Sequence, residues 1–158
     1  MAEVNWTRLV AAVVICNLAG FAGSLFTTPN IATWYASINK PAFTPPNWVF
    51  GPVWTTLFIL MGISLYLIWQ KTNLNSQGKK AAGIFGVQLF LNIMWSVLFF
   101  GLQNPMAAFA EIIILWAFIA ATIWLFWRID RKAAYLLIPY IAWVSFAAFL
   151  NYSVWMLN

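Results

Sequence analysis

The sequence predicts an all-α integral membrane protein, a five-transmembrane-helix bundle forming one domain over residues 1–158. Three observations carry that prediction. Hydrophobic residues make up 64% of the chain and charged residues only 7%. Soluble domains carry about 25% charged residues, so most of this surface must face lipid. The apolar residues fall into five runs, each near the roughly 20 residues needed to cross a hydrocarbon core. These runs do not alternate in polarity as barrel strands do, and an open sheet would leave backbone groups unpaired in lipid.

The first run, 9–26, follows Glu3 and Arg8. It lacks a basic start and is long enough to span, so it reads as a retained helix rather than a secretory signal. The single Cys16 lies inside it, so no intramolecular disulfide can form and the redox compartment cannot be read. The second run covers 48–69, the third 81–102, the fourth 106–127 and the fifth 133–157. "KTNLNSQGKK" (71–80), "QNP" (103–105) and "RIDRK" (128–132) separate the later runs. Links this short make consecutive spans antiparallel neighbours.

With five spans, the amino terminus, the 71–80 loop and the 128–132 elbow share one side. That side holds Arg8, Lys71, Lys79, Lys80, Arg128, Arg131 and Lys132, and the opposite side only Lys40. The bias predicts an amino terminus inside. The pI near 9.7 therefore reflects orientation rather than a nucleic-acid partner. No internal repeat is visible, which counts against the common transporter plan of inverted halves.

Residues 28–45 join the first two spans, a long link for a compact protein. Ile31, Trp34, Tyr35, Ile38 and Phe43 make it apolar, and Pro29, Pro41 and Pro45 stiffen it. It reads as a lid leading into the second helix, with Pro45 and Pro46 at the helix start and Pro52 bending the helix above Trp54. A rigid connector without ligand duties is the other reading.

Small residues at four-residue spacing (Ala12, Cys16, Gly20 and Ser24 in the first span, Ala82 and Gly86 in the third) suit close helix packing. Packing within the bundle is one reading; a homodimer contact is the other, with the third span favoured for it. Polar groups inside spans face a bundle interior or a cavity. Gln88, Asn92, Trp95, Ser96 and Phe99 share one face of the third helix, and Trp143, Ala147 and Asn151 one face of the fifth. Glu111 in the fourth span and Trp54 in the second lie at comparable depth, so four helices converge on the outer half of the bundle. For Gln88 alone, interhelical glue is an equal alternative; Glu111 is simply neutral, hydrogen bonded to a neighbour, or a proton relay. Trp48, Trp69, Trp127 and Trp155 lie at span ends as interfacial anchors, as can Trp6 and Trp34.

"WYASINKPAFTPPNWVFGPVWTTLF" (34–58), "QLFLNIMWSVLFFG" (88–101) and "LLIPYIAWVSFAAFLNYSVW" (136–155) closely resemble the family of tryptophan-rich sensory proteins and translocator proteins. The resemblance covers nearly the whole chain in order. It implies a usually dimeric membrane protein that binds porphyrins such as protoporphyrin IX, together with synthetic ligands. The matching positions are Tyr35, Trp54, Phe58, Asn92, Trp95, Trp143, Ala147 and Leu150. Trp54 and Trp143 match tryptophans implicated in light- and oxygen-dependent porphyrin breakdown in some bacterial members. Animal members end their fifth helix with an apolar residue, a tyrosine and a base. Here Leu150 and Tyr152 are followed by Met156, Leu157 and Asn158, so cholesterol is not expected as a partner. The missing basic tail favours a bacterial-type member, expected in a bacterial cell membrane, with the inner and outer membranes left undistinguished.

The expected function is a membrane receptor or sensor that holds a porphyrin under the first loop. The alternatives are a porphyrin or lipid transporter and a photo-oxidative porphyrin-degrading enzyme. No nucleophile–base pair supports conventional catalysis, no cofactor is required, and the chain has no His for a metal or haem iron. Metal-free porphyrin is therefore expected to bind in preference to haem.

Overall fold

The computed structural model describes residues 4–158; Glu3, counted above at the amino terminus, lies outside the described residues. Five helical segments are long and apolar enough to cross a membrane: Trp6–Ile31, Asn47–Thr72, Ser76–Gly101, Pro105–Ile129 and Arg131–Leu157. Most extend beyond the hydropathy runs because helices continue through polar ends that a water–lipid interface tolerates. The first of them, α1 (Trp6–Ile31), starts at Asn5, whose side chain accepts a hydrogen bond from the Arg8 N–H. It ends past Pro29, so the link to the second span is shorter than the sequence suggests. There the Asn30 amide caps the Phe26 carbonyl at 2.9 Å and Thr33 Oγ1 caps the Pro29 carbonyl at 3.1 Å.

The link folds into a short helix, α2 (Trp34–Ser37), before Pro46 leads extended backbone into α3 (Asn47–Thr72). Pro46 stands just outside that helix rather than in its first turn. Helix α3 stops where Asn73 and Leu74 take left-handed conformations at φ 48° and 54°. Asn75 then caps α4 (Ser76–Ser96), which runs into a π-helical turn at Val97–Gly101. Asn104 caps α5 (Pro105–Ile129), with Pro105 in its first turn, where a missing N–H costs little. The fifth span divides into α6 (Arg131–Leu136) and α7 (Ile138–Leu157), with Pro139 in the first turn of α7.

Both ends of the bundle are tied. At the amino-terminal end, Arg8 Nη2 donates to Asn73 Oδ1 at 2.8 Å, and Lys71 pairs with Asp130 at 3.3 Å. The amino terminus, the loop after α3 and the elbow before α6 therefore share one side. At the other end, Asn39 N–H donates to Asn158 Oδ1 and Asn158 Nδ2 donates to the Asn39 carbonyl, each at 2.9 Å. Gln103 donates to Asn30 Oδ1 at 3.3 Å, bringing the turn before α5 to the same side. Ala12, Cys16, Ala19 and Gly23 of α1 are buried, so this small-residue face packs within the bundle. On α4, by contrast, Gly83 and Gly86 meet nothing within 4 Å of an added Cβ.

Candidate functional site

A chamber of about 490 Å³ lies beneath the lid, walled by α1, α2, α3, α4, the π turn and α7. Its volume is in the range of small-molecule sites. Tyr35, Trp54, Phe58, Asn92, Trp95, Trp143, Ala147 and Leu150 all line it. Each side chain gets there by a separate local cause. Tyr35 is carried by α2, and its buried ring meets Phe99 and Phe100 at 6.3 and 5.6 Å between centroids. The π turn adds a residue to the helical repeat, which lets these two consecutive phenylalanines both face the lid. Burial raises the Tyr35 phenol above its ordinary pKa of 10.0, so it remains a neutral donor. Among the described residues it has no hydrogen-bond partner.

Trp54 stacks on Phe58, one helical turn further along α3, at 5.6 Å and 29°. It also meets Tyr140 edge-on at 6.3 Å. Trp95 lies flat against Phe99 at 5.1 Å and 19°. Its indole N–H donates to Asn151 Oδ1 at 3.0 Å, and Asn151 Nδ2 donates to the Pro105 carbonyl at 2.7 Å. Asn92 donates to the Tyr140 hydroxyl at 3.0 Å, and that hydroxyl donates to Gln88 Oε1 at 2.8 Å. No described residue bonds the Asn92 carbonyl oxygen, which leaves the chamber an acceptor. The lining residues carry no charged side chain. The arrangement suits a flat, mostly apolar molecule with a few polar edges.

Several sequence expectations change. Glu111 is buried but does not line the chamber, and neither carboxylate oxygen has a hydrogen-bond partner among the described residues. Helix α5 contributes nothing to the wall; α1 does instead, through Asn17, Gly20, Gly23, Ser24 and neighbouring residues. Spacing left Gly20 and Ser24 between bundle packing and a subunit contact; Gly20 and Gly23 admit the Phe58 ring and the Ser96 side chain, which also line the chamber. Gln88 sits behind the wall as interhelical glue. Trp34 packs its ring on Phe99 at 5.4 Å and on Phe100 at 6.3 Å. Tyr140 was missed, because a tyrosine in an apolar run does not announce a buried hydroxyl. Among the described residues, no three of His, Cys, Asp and Glu cluster as metal ligands would.

Residues 12–156 match the sequence model of the TspO/MBR family. The chain is 46% identical over 155 residues to the Tryptophan-rich protein TspO of Archaeoglobus fulgidus, covering 98% of this chain and 99% of that one. It is 36% identical over 156 residues to the Translocator protein of Bos taurus, covering 97% and 91%. Against the Tryptophan-rich sensory protein of Cereibacter sphaeroides the identity is 32% over 156 residues, covering 99% and 94%.

Proposed function

The chain belongs to the TspO/MBR family, and from that premise we propose that this multi-pass membrane protein binds protoporphyrin IX or a related tetrapyrrole in the chamber beneath its lid. The observation that carries the reading is the convergence of Tyr35, Trp54, Phe58, Asn92, Trp95, Trp143, Ala147 and Leu150 on one uncharged aromatic cavity. Stacked rings offer large flat contact area, while the Asn92 oxygen and the Tyr35 hydroxyl orient a polar edge. The chain supplies no His to bind iron, so binding rests on the macrocycle rather than on a metal.

Titration of the purified protein with protoporphyrin IX in the dark, followed by tryptophan fluorescence, tests this. Saturable quenching is expected, weakened about tenfold or more by Trp54→Ala as stacking and burial are lost. Haem binding much tighter than the metal-free ring would contradict the reading.

The relative from Cereibacter sphaeroides is named a sensory protein and the bovine one a translocator; sensing is our reading for this chain. A homodimer through α4 belongs to the same proposal, supported by the open surface at Gly83 and Gly86. So does an amino terminus inside the cell, supported by the basic residues gathered at that end. Photo-oxidative breakdown is a second reading, supported by Trp54 and Trp143 both lining the chamber. Under illumination it predicts porphyrin loss that a Trp54→Phe/Trp143→Phe double variant abolishes; equal loss in that variant would clear both rings.

A further inference from the structure

The chamber has a gap in its side. Helices α1 and α3 touch tightly towards the amino-terminal end of the bundle, where a Cβ added to Gly62 would lie 2.5 Å from Val13 Cα. Further out, a Cβ added to Gly20 would lie 2.5 Å from the Phe58 ring. At Gly51, eleven residues and about 16 Å beyond Gly62 along α3, an added Cβ meets nothing within 4 Å. In this half of the bundle both helices line the chamber, α1 through Phe21 and Thr28 and α3 through Trp48, Gly51 and Thr55, and all five residues are exposed, which marks an opening between the two helices. Chamber residues flanking the gap are also exposed on the outer surface: Phe21 is 62% exposed and Trp48 75% exposed, with Gly51 and Thr55 open as well. On the opposite wall, Asn92, Phe99, Leu150 and Asn151 are buried.

The lid, by contrast, is fastened. Asn39 and Asn158 exchange hydrogen bonds at 2.9 Å, and Asn39 Nδ2 adds a third to the Leu157 carbonyl at 3.2 Å. Lys40 Nζ bonds the carbonyls of Tyr35 at 2.6 Å and Ile38 at 3.1 Å. Trp34 and Tyr35 lie against the π-turn phenylalanines. The Lys40 bonds hold the lid's own shape; opening upward breaks the bonds to Leu157 and Asn158 and the ring contacts with the π turn, and passage through the gap breaks none of them.

We infer that the chamber is loaded sideways: a flat, lipid-dissolved aromatic ligand passes between α1 and α3 while the lid stays latched. The aromatic lining suits the apolar face of a macrocycle arriving from hydrocarbon. The inference rests on the reading that the chamber holds a tetrapyrrole.

The test is stopped-flow tryptophan quenching by protoporphyrin IX, with the full chain in lipid nanodiscs. Gly51→Phe places a ring in the open gap at a helical position where glycine is not needed. Its binding and release should both slow about fivefold or more, while Asn158→Ala, which removes both bonds to the Asn39 backbone and so loosens the lid, should leave both within about twofold. Thr28→Phe plugs the same gap from α1 and is read in the same way should Gly51→Phe fold poorly. Rates unmoved by either plug, or accelerated by Asn158→Ala, would overturn sideways loading while equilibrium quenching stays normal. No saturable quenching in the unaltered chain would remove the tetrapyrrole reading, and the side passage with it.

Discussion

At the scale of single residues, the Tyr140 hydroxyl joins α7 to α4 by donating to Gln88 at 2.8 Å and accepting from Asn92 at 3.0 Å. The same ring backs Trp54. Tyr140→Phe leaves a buried amide donor and a buried acceptor unpaired, at a cost of about 1–3 kcal/mol. A lowered unfolding midpoint together with weakened porphyrin binding is expected; an unchanged midpoint would show that the pair is not held by this hydroxyl. Asp130 gives a pH prediction at the opposite end of the bundle. Burial pushes its carboxyl up, but the Lys132 and Ala133 backbone N–H groups and the Lys71 ammonium outweigh that and hold it below its ordinary 3.8. A carboxyl lowered on folding contributes stability above its unfolded value and loses it as pH falls through the folded one. Stability should therefore decline as pH drops below about 3.8, and Asp130→Asn, which keeps a helix cap but not the charge, should flatten that decline. An equally steep acid limb in the variant would remove Asp130 from the account. The sequence motifs carried the eight chamber residues, whereas Tyr140 and the α1 wall were hidden, because neither a tyrosine in an apolar run nor a small residue signals which way it faces.

Among elements, the contrast lies between glycines that permit contact and glycines that face open space. An Ala at Gly62 would drive its Cβ into the Val13 backbone at 2.5 Å, so α1 and α3 must separate. A cost of about 1–3 kcal/mol is expected for such overpacking. Gly83→Ala meets nothing in the chain and should leave the unfolding midpoint of the monomer unchanged or slightly raised, since alanine favours helix. Thermal melts in detergent compare the two directly, and equal destabilisation would contradict the tight crossing at Val13. Hydropathy located all five spans but set most of their ends short, because lipid exposure decides the apolar core while caps such as Asn5, Asn75 and Asn104 decide where a helix begins. The π turn at Val97–Gly101 was not legible either. Its Phe99 and Phe100 meet Trp34 and Tyr35 of the lid, residues distant in sequence.

On the scale of the whole molecule, four spans and the lid surround a cavity, while α5 closes the bundle behind it without lining it. Sequence depth placed rings and amides of several helices at one level, and Trp54, Asn92, Trp95, Phe99, Trp143 and Asn151 among them line the one chamber. The fold sends Glu111 elsewhere, because depth fixes a level along the membrane normal and not a direction around each helix. The central claim is that a tetrapyrrole occupies this chamber rather than the outer surface. Its most direct test is the dissociation constant of protoporphyrin IX for Ala147→Phe, which puts a ring into the cavity from its α7 wall. The account predicts affinity weakened about tenfold or more with the fold retained by circular dichroism; an affinity within about twofold of the unaltered chain would contradict it.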